Sequence, residues 1–257
     1  MAPKILIVLT SADKVKNSGK PTGWYLPELA HPWEVLHSKA ELTYASPKGG
    51  EAPLDPASIE ASKDDATSMN FIKEHKSVYQ NTKKLSDLVA TAGDDFDAVF
   101  YPGGHGPMYD LANDKDSIQI ISDLYAKGKP VAAVCHGPVA FVNVNGSDKL
   151  PILKGKRVTG FSDAEEEIME LVDEMPFSLE QALNEKSGGK FEKASEVWAE
   201  KVIVQDNVIT GQNPASAKGV AEALAKLLSK SHIQNSIDGL RRANGSTCRN
   251  LRDDRHG

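Results

Sequence analysis

Cysteine is nearly missing from this chain: its 257 residues hold two, Cys135 and Cys248. Two thiols build no disulfide framework, and the shortage fits a reducing compartment. Long apolar runs are missing as well. No stretch approaches the roughly 18 to 20 apolar residues of a membrane span. Met1-Ala2-Pro3-Lys4 leads straight into a strand pattern, without the ordered charged, apolar and cleavage regions of a leader. A cytoplasmic location with no membrane partner is the expectation. Basic blocks are the third absence. Net charge is −6 and pI ≈ 5.7, and no Lys/Arg cluster is interleaved with aromatics, so nucleic acid is not an expected partner. A metal set drawn from Glu28, His31, His105 and Cys135 lacks any Cys-x-x-Cys spacing to support it. Neither a metal nor a cofactor is expected.

What is present is enough apolar material for one large core: 40% of residues are hydrophobic and 26% charged. One catalytic domain is expected over residues 1–229, and a disordered tail over 230–257. Residues 231–257 are poor in apolar side chains and carry five arginines against three aspartates without periodicity.

Strands and helices alternate through the first part. Lys4 to Thr10 is a β-branched and leucine run of the kind buried on both faces of a parallel sheet. A helical segment then runs to about Ala40 and a second strand covers Leu42 to Ala45. The polar stretch Ser58 to Val89 has helical spacing. Asp97 to Tyr101, Val131 to Val134 and Lys156 to Phe161 read as further strands, and Asp114 to Lys127 as an amphipathic helix. Leu179 to Asn184 is helical, Val202 to Thr210 forms a hairpin about Asp206-Asn207, and a final helix covers about Ala215 to Leu228. This alternation predicts an α/β fold, a doubly wound sandwich with a mostly parallel sheet and its ligand site at the carboxyl ends of the strands.

The chemistry concentrates where the run Val131 to Val134 breaks into Cys135-His136-Gly137-Pro138. Strand, sharp turn and helix make a nucleophile elbow, with Ala133 and Gly137 as the small flanking residues such a turn needs. A helix after the thiol would aim amides at it and lower its pKa by ~2 to 3 units. The glycine loop Pro102-Gly103-Gly104-His105-Gly106-Pro107 lacks the Gly-Lys-Ser/Thr ending of a phosphate loop and is better used to donate amides to an oxyanion. Ser162-Asp163-Ala164-Glu165-Glu166-Glu167 is an acid-rich helix start.

Four stretches together carry a resemblance: Thr22-Gly23 with Glu28 and His31-Pro32; Gly104-His105-Gly106; Ala133 to Pro138; and Thr159-Gly160-Phe161-Ser162-Asp163 leading to Glu166, with Asn213 to Ala217 as a later signature. From about residue 3 to 229 the chain resembles the ThiJ/PfpI superfamily, in particular its glutathione-independent glyoxalase III (D-lactate dehydratase) and heat-shock-31-like branch. The resemblance implies a flavodoxin-like, class I glutamine amidotransferase-like fold and a homodimer acting on small 2-oxoaldehydes such as methylglyoxal. It implies Cys135 as nucleophile, His136 as its base, Glu166 orienting His136, Glu28 as a second acid/base beside the sulfur, and Gly104 and His105 at the substrate or oxyanion position. Glu165 is the alternative third member. An amidotransferase needs a late His-x-Glu, and the histidines after His136 are His232 and His256, both in the tail. The other reading is a holdase chaperone or redox-responsive protein with deglycase-like activity, which requires neither Glu28 nor Glu166.

Overall fold

A computed structural model describes residues 2–230. Seven strands form one sheet: β1 (Lys4–Val8), β2 (Glu41–Ser46), β3 (Lys83–Lys84), β4 (Ala98–Tyr101), β5 (Val131–Val134), β6 (Val202–Gln205) and β7 (Val208–Gly211), in the order β3-β2-β1-β4-β5-β7-β6. All neighbours are parallel except β6 and β7. Every residue of β4, β5 and β7 is buried, as is β1 after Lys4. Such strands have no solvent face, so they read as continuous apolar runs rather than alternations.

The chain winds outward from β1 through β2 to β3, then restarts at β4 on the other side. The switch between β1 and β4 opens a crevice at the carboxyl ends of the strands. Register places Ile7 beside Phe100 and Tyr101 beside Ala133, so the segments leaving β1, β4 and β5 emerge side by side.

Three expectations need correction. Within Ser58 to Val89 the helices are short, Pro56–Ala61, Ala66–Glu74, Ser77–Gln80 and Leu85–Leu88, and β3 interrupts them. Two exposed lysines have no alternation to read; their strand exists only through pairing with Ala45 and Ser46, and lysine suits an edge. Lys156 to Phe161 is not a strand of the sheet. Its amides are used across the strand ends instead: Thr159 N donates to Thr210 Oγ1 and Phe161 N to the Cys135 carbonyl, and Val158 makes a lone bridge to Phe191. The segment after Cys135 is a 3-10 turn, Gly137–Phe141, rather than an α-helix. The terminal helix spans 217–230, entered through a 3-10 turn Pro214–Ser216. Apart from Lys230 the expected tail lies outside the described residues. Among those described, no helix is long and apolar enough to cross a membrane.

Candidate active site

Cys135 directly follows β5 with φ 62, a left-handed conformation that strains a residue bearing a Cβ. The surroundings hold it there. Cys135 N donates to the Gly211 carbonyl at 2.9 Å and its own carbonyl accepts from Phe161 N at 2.9 Å. Gly137 passes so close to β4 that a Cβ would lie 2.3 Å from the Tyr101 carbonyl oxygen. The result is a thiol turned off the sheet end yet only 3% exposed.

Against one side of the sulfur stands Glu28, from the first turn of the helix Leu26–Leu36, with no exposed surface. Its Oε2 accepts from Gly103 N at 2.7 Å, while Oε1 is buried without a hydrogen-bond partner, and the Cys135 thiol is the neighbouring side chain that lowers its pKa. A Cβ at Gly103 would come within 2.7 Å of Glu28 Oε2, so glycine admits the carboxyl here. Burial pushes Glu28 up to about 8, although its bonds to Cys135 and Gly103 partly offset that. The thiol also moves up, by burial first and then by the nearby Glu28 charge. This corrects the expected fall. A five-residue 3-10 turn aligns fewer amides than the expected α-helix, and the Gly104 amide only moderates the rise. Near neutral pH the pair therefore keeps its protons, the thiol and the carboxyl facing each other.

The other side of the sulfur is ionic. His136 Nδ1 lies 3.5 Å from Cys135 Sγ, and its Nε2 lies 2.6 Å from Glu166 Oε2. His105 Nε2 meets the second oxygen, Oε1, at 2.8 Å. Burial opposes the Glu166 charge, but the two imidazoles override it and hold the carboxylate well below the usual range. An ionised carboxylate only accepts, so the ring nitrogen facing it carries hydrogen and His136 Nδ1 keeps its lone pair toward the sulfur. Burial and then His105 hold His136 itself below its ordinary pKa, in the neutral form a base needs.

Glu165 does not touch this group. It closes a capping box with Ser162 and reaches away toward Trp198, Gln212 and Asn213. One residue further on, the helix Asp163–Ile168 turns Glu166 to the imidazoles. His31 is not part of the site; it pairs with Asp65 at 2.7 Å. His105, His136 and Glu166 present ligand atoms within 4.8 Å of one another, a spacing one metal ion bridges, yet each imidazole Nε2 is already engaged by a Glu166 oxygen.

A cavity of about 60 Å³ opens on the sulfur, lined by Tyr25, Gly104, His105, Cys135, His136 and Phe161, with Met169, Trp198 and Pro214 completing the wall. Tyr25 was not singled out in the sequence, though it follows Thr22-Gly23-Trp24; burial, Glu28 and Cys135 push its phenol up to about 12, so it stays a neutral donor. Met169 and Trp198 lie in stretches without any motif, and nothing in the sequence marks them.

The model of the DJ-1/PfpI family matches residues 23–227. Glyoxalase 3 of Candida albicans is 34% identical over 229 residues, covering 85% of this chain and 95% of that protein. A glutathione-independent glyoxalase of Saccharomyces cerevisiae is 31% identical over 231 residues, covering 86% and 96%. Among solved structures, the 24 kDa Rapid Encystment Protein of Francisella tularensis superposes with TM-score 0.80 at 36% identity, covering 87% of this chain and 98% of that one.

Proposed function

This chain belongs to the DJ-1/PfpI family, and from that membership we propose that it is a glutathione-independent glyoxalase that converts methylglyoxal and small 2-oxoaldehydes to 2-hydroxy acids, as a D-lactate dehydratase. One observation carries the reading: Cys135 stands between Glu28, a buried carboxyl that burial pushes up to about 8, and His136, an imidazole whose far nitrogen is held by Glu166. A nucleophile, a base and a separate proton carrier are what an internal redox shift requires.

His136 Nδ1 takes the thiol proton as Sγ bonds to the aldehyde carbon, and Glu28 gives its own proton to the carbonyl oxygen, leaving a hemithioacetal and a Glu28 carboxylate. A thiol held protonated by burial is activated only as substrate arrives, since its charge passes at once to the substrate oxygen. The amide of Gly104, which eases charge on the sulfur, and His105 line the cavity where that oxygen sits. The Glu28 carboxylate then takes the C1 hydrogen as a proton, and the electron pair forms an enediol as the C2 oxygen takes a proton from the His136 imidazolium. Glu28 returns its proton to C2 while the C1 hydroxyl gives its proton to His136, which leaves a hydroxyl at C2 and a thioester at C1. Water cleaves the thioester, releasing the hydroxy acid and restoring the thiol. C1 is oxidised as C2 is reduced, so the reaction consumes no external oxidant or reductant.

The holdase and redox-sensor readings need neither Glu28 nor Glu166 and leave both placements unexplained. The test is product analysis of the purified protein with methylglyoxal and no glutathione. D-lactate is expected as the sole product, in equimolar yield; no lactate, or lactate formed only when glutathione is added, overturns the reading.

A further inference from the structure

Glu165 is a buried carboxylate that the mechanism leaves unused. It has no exposed surface and, among the described residues, no cationic partner in an ion pair. Five donors satisfy it instead. Its Oε2 accepts from Ser162 N at 2.9 Å and Ser162 Oγ at 2.7 Å. Its Oε1 accepts from Trp198 N at 3.3 Å, Gln212 Nε2 at 3.0 Å and Asn213 Nδ2 at 2.8 Å. A capping box uses only the first of these three segments. The other donors come from far along the chain, and the three segments share one property. Ser162 follows Phe161, Trp198 donates itself, and Asn213 precedes Pro214; Phe161, Trp198 and Pro214 are three apolar walls of the cavity.

We propose that Glu165 is a positioning residue that assembles this apolar rim, and that Trp198 on the rim is the specificity-determining residue that limits the side chain a 2-oxoaldehyde brings to Cys135. The proposal rests on the glyoxalase reading for its substrate class. Trp198 occupies φ 66, a left-handed conformation that a bulky residue adopts only when something outside it imposes the choice. The hydrogen bond its backbone N–H donates to Glu165 Oε1 is such a constraint. From there the rings form a path inward: Trp198 packs on Phe161 with centroids 5.7 Å apart, and Phe161 on His136 at 4.4 Å. Trp198 is 38% exposed, so one part of it faces solvent while another closes the cavity. The cavity at the sulfur is small, about 60 Å³, and Trp198 forms part of its wall, so a phenyl substituent on the aldehyde meets the indole where a methyl group does not.

Two readouts test this. The first is the ratio of kcat/KM for phenylglyoxal to that for methylglyoxal. The second, independent of turnover, is the alkylation rate of Cys135 by N-phenylmaleimide relative to iodoacetamide, followed on the Cys135 peptide by mass spectrometry. Trp198→Ala is expected to raise both ratios by ~10-fold or more, while Trp198→Phe keeps them near wild type. Glu165→Gln, whose amide N–H₂ would face donors, should shift both ratios in the same direction. Gln212→Met, which removes one donor and spares the helix cap, should do so by a smaller factor and serves if Glu165→Gln does not fold. Unchanged ratios in Trp198→Ala overturn the role of Trp198. Ratios that move in Trp198→Ala but in neither Glu165→Gln nor Gln212→Met leave Glu165 as a helix cap and overturn its positioning role. If wild-type protein does not turn over methylglyoxal and Trp198→Ala still moves the alkylation ratio, the glyoxalase reading falls and the rim stands.

Discussion

Two glutamates flank one sulfur and behave oppositely. Glu28 sits in a dry corner between the helix Leu26–Leu36 and the glycine loop, where one amide and a thiol are its company, and it keeps its proton up to about pH 8. Glu166 is nearly as well buried, yet two imidazoles face its two oxygens and it stays charged well into acid. Burial alone therefore does not assign roles. Partners do: the same carboxyl holds a proton on one side of the sulfur and a charge on the other.

Removing what both regions act upon should have the largest effect. Cys135→Ala and Cys135→Ser are expected to lose turnover entirely without unfolding, read from kcat and a thermal melt. Substantial turnover in either would mean no covalent intermediate. Next comes the ionic side. Glu166→Gln should lower kcat on the order of 10³-fold, because an amide that donates toward His136 Nε2 favours the wrong tautomer, while Cys135 remains alkylatable. Glu165→Gln should not reproduce that loss on methylglyoxal; if it does and Glu166→Gln is silent, the assignment of the two neighbours is reversed. On the dry side, Glu28→Gln keeps the shape and the donor but moves no proton, so kcat should fall about 100-fold or more. A rate near wild type would place both proton transfers on His136.

The smallest effect is in stability, and here the two carboxyls must differ in sign. The folded-state pKa of Glu28 is raised from 4.5 to about 8, so the folded protein binds a proton the unfolded chain has lost. Its contribution is fully present below about pH 4.5 and declines as pH rises toward 8. Glu166 is shifted down, so its contribution is present above about pH 4.5 and is lost as acid titrates it. Glu28→Gln should therefore gain stability relative to wild type between pH 5 and 9, on the order of 2 kcal/mol once proton sharing with Cys135 is allowed for. Denaturant melts at the two pH values check this; a gap independent of pH would put an ordinary carboxyl at position 28.

The legible parts of this molecule were those where chemistry and local pattern coincide. β1, β4 and β5 are buried on both faces and read as apolar runs. The elbow is marked by small residues around Cys135, and the hairpin by Asp206-Asn207, where Asp206 takes φ 56. The site residues were reached through motif resemblance, since Glu28, His105, Cys135 and Glu166 are scattered and meet only where strand ends converge. Three features escaped. β3 is two lysines whose strand depends on a neighbour. The thiol's titration follows from burial and Glu28, neither of which the local sequence around Cys135 shows, and not from a helix after it. Trp198 enters the cavity from an irregular loop, and no local pattern connects it to Glu165.

The protonated Glu28 carboxyl is the claim on which the division of labour depends, and infrared difference spectroscopy between wild type and Glu28→Gln observes it directly. At pH 6 to 7 the wild-type protein should show the C=O stretch of a buried neutral carboxyl, absent from the variant, that disappears with a midpoint near pH 8. A carboxylate signature for Glu28 already complete at pH 6 would contradict the account.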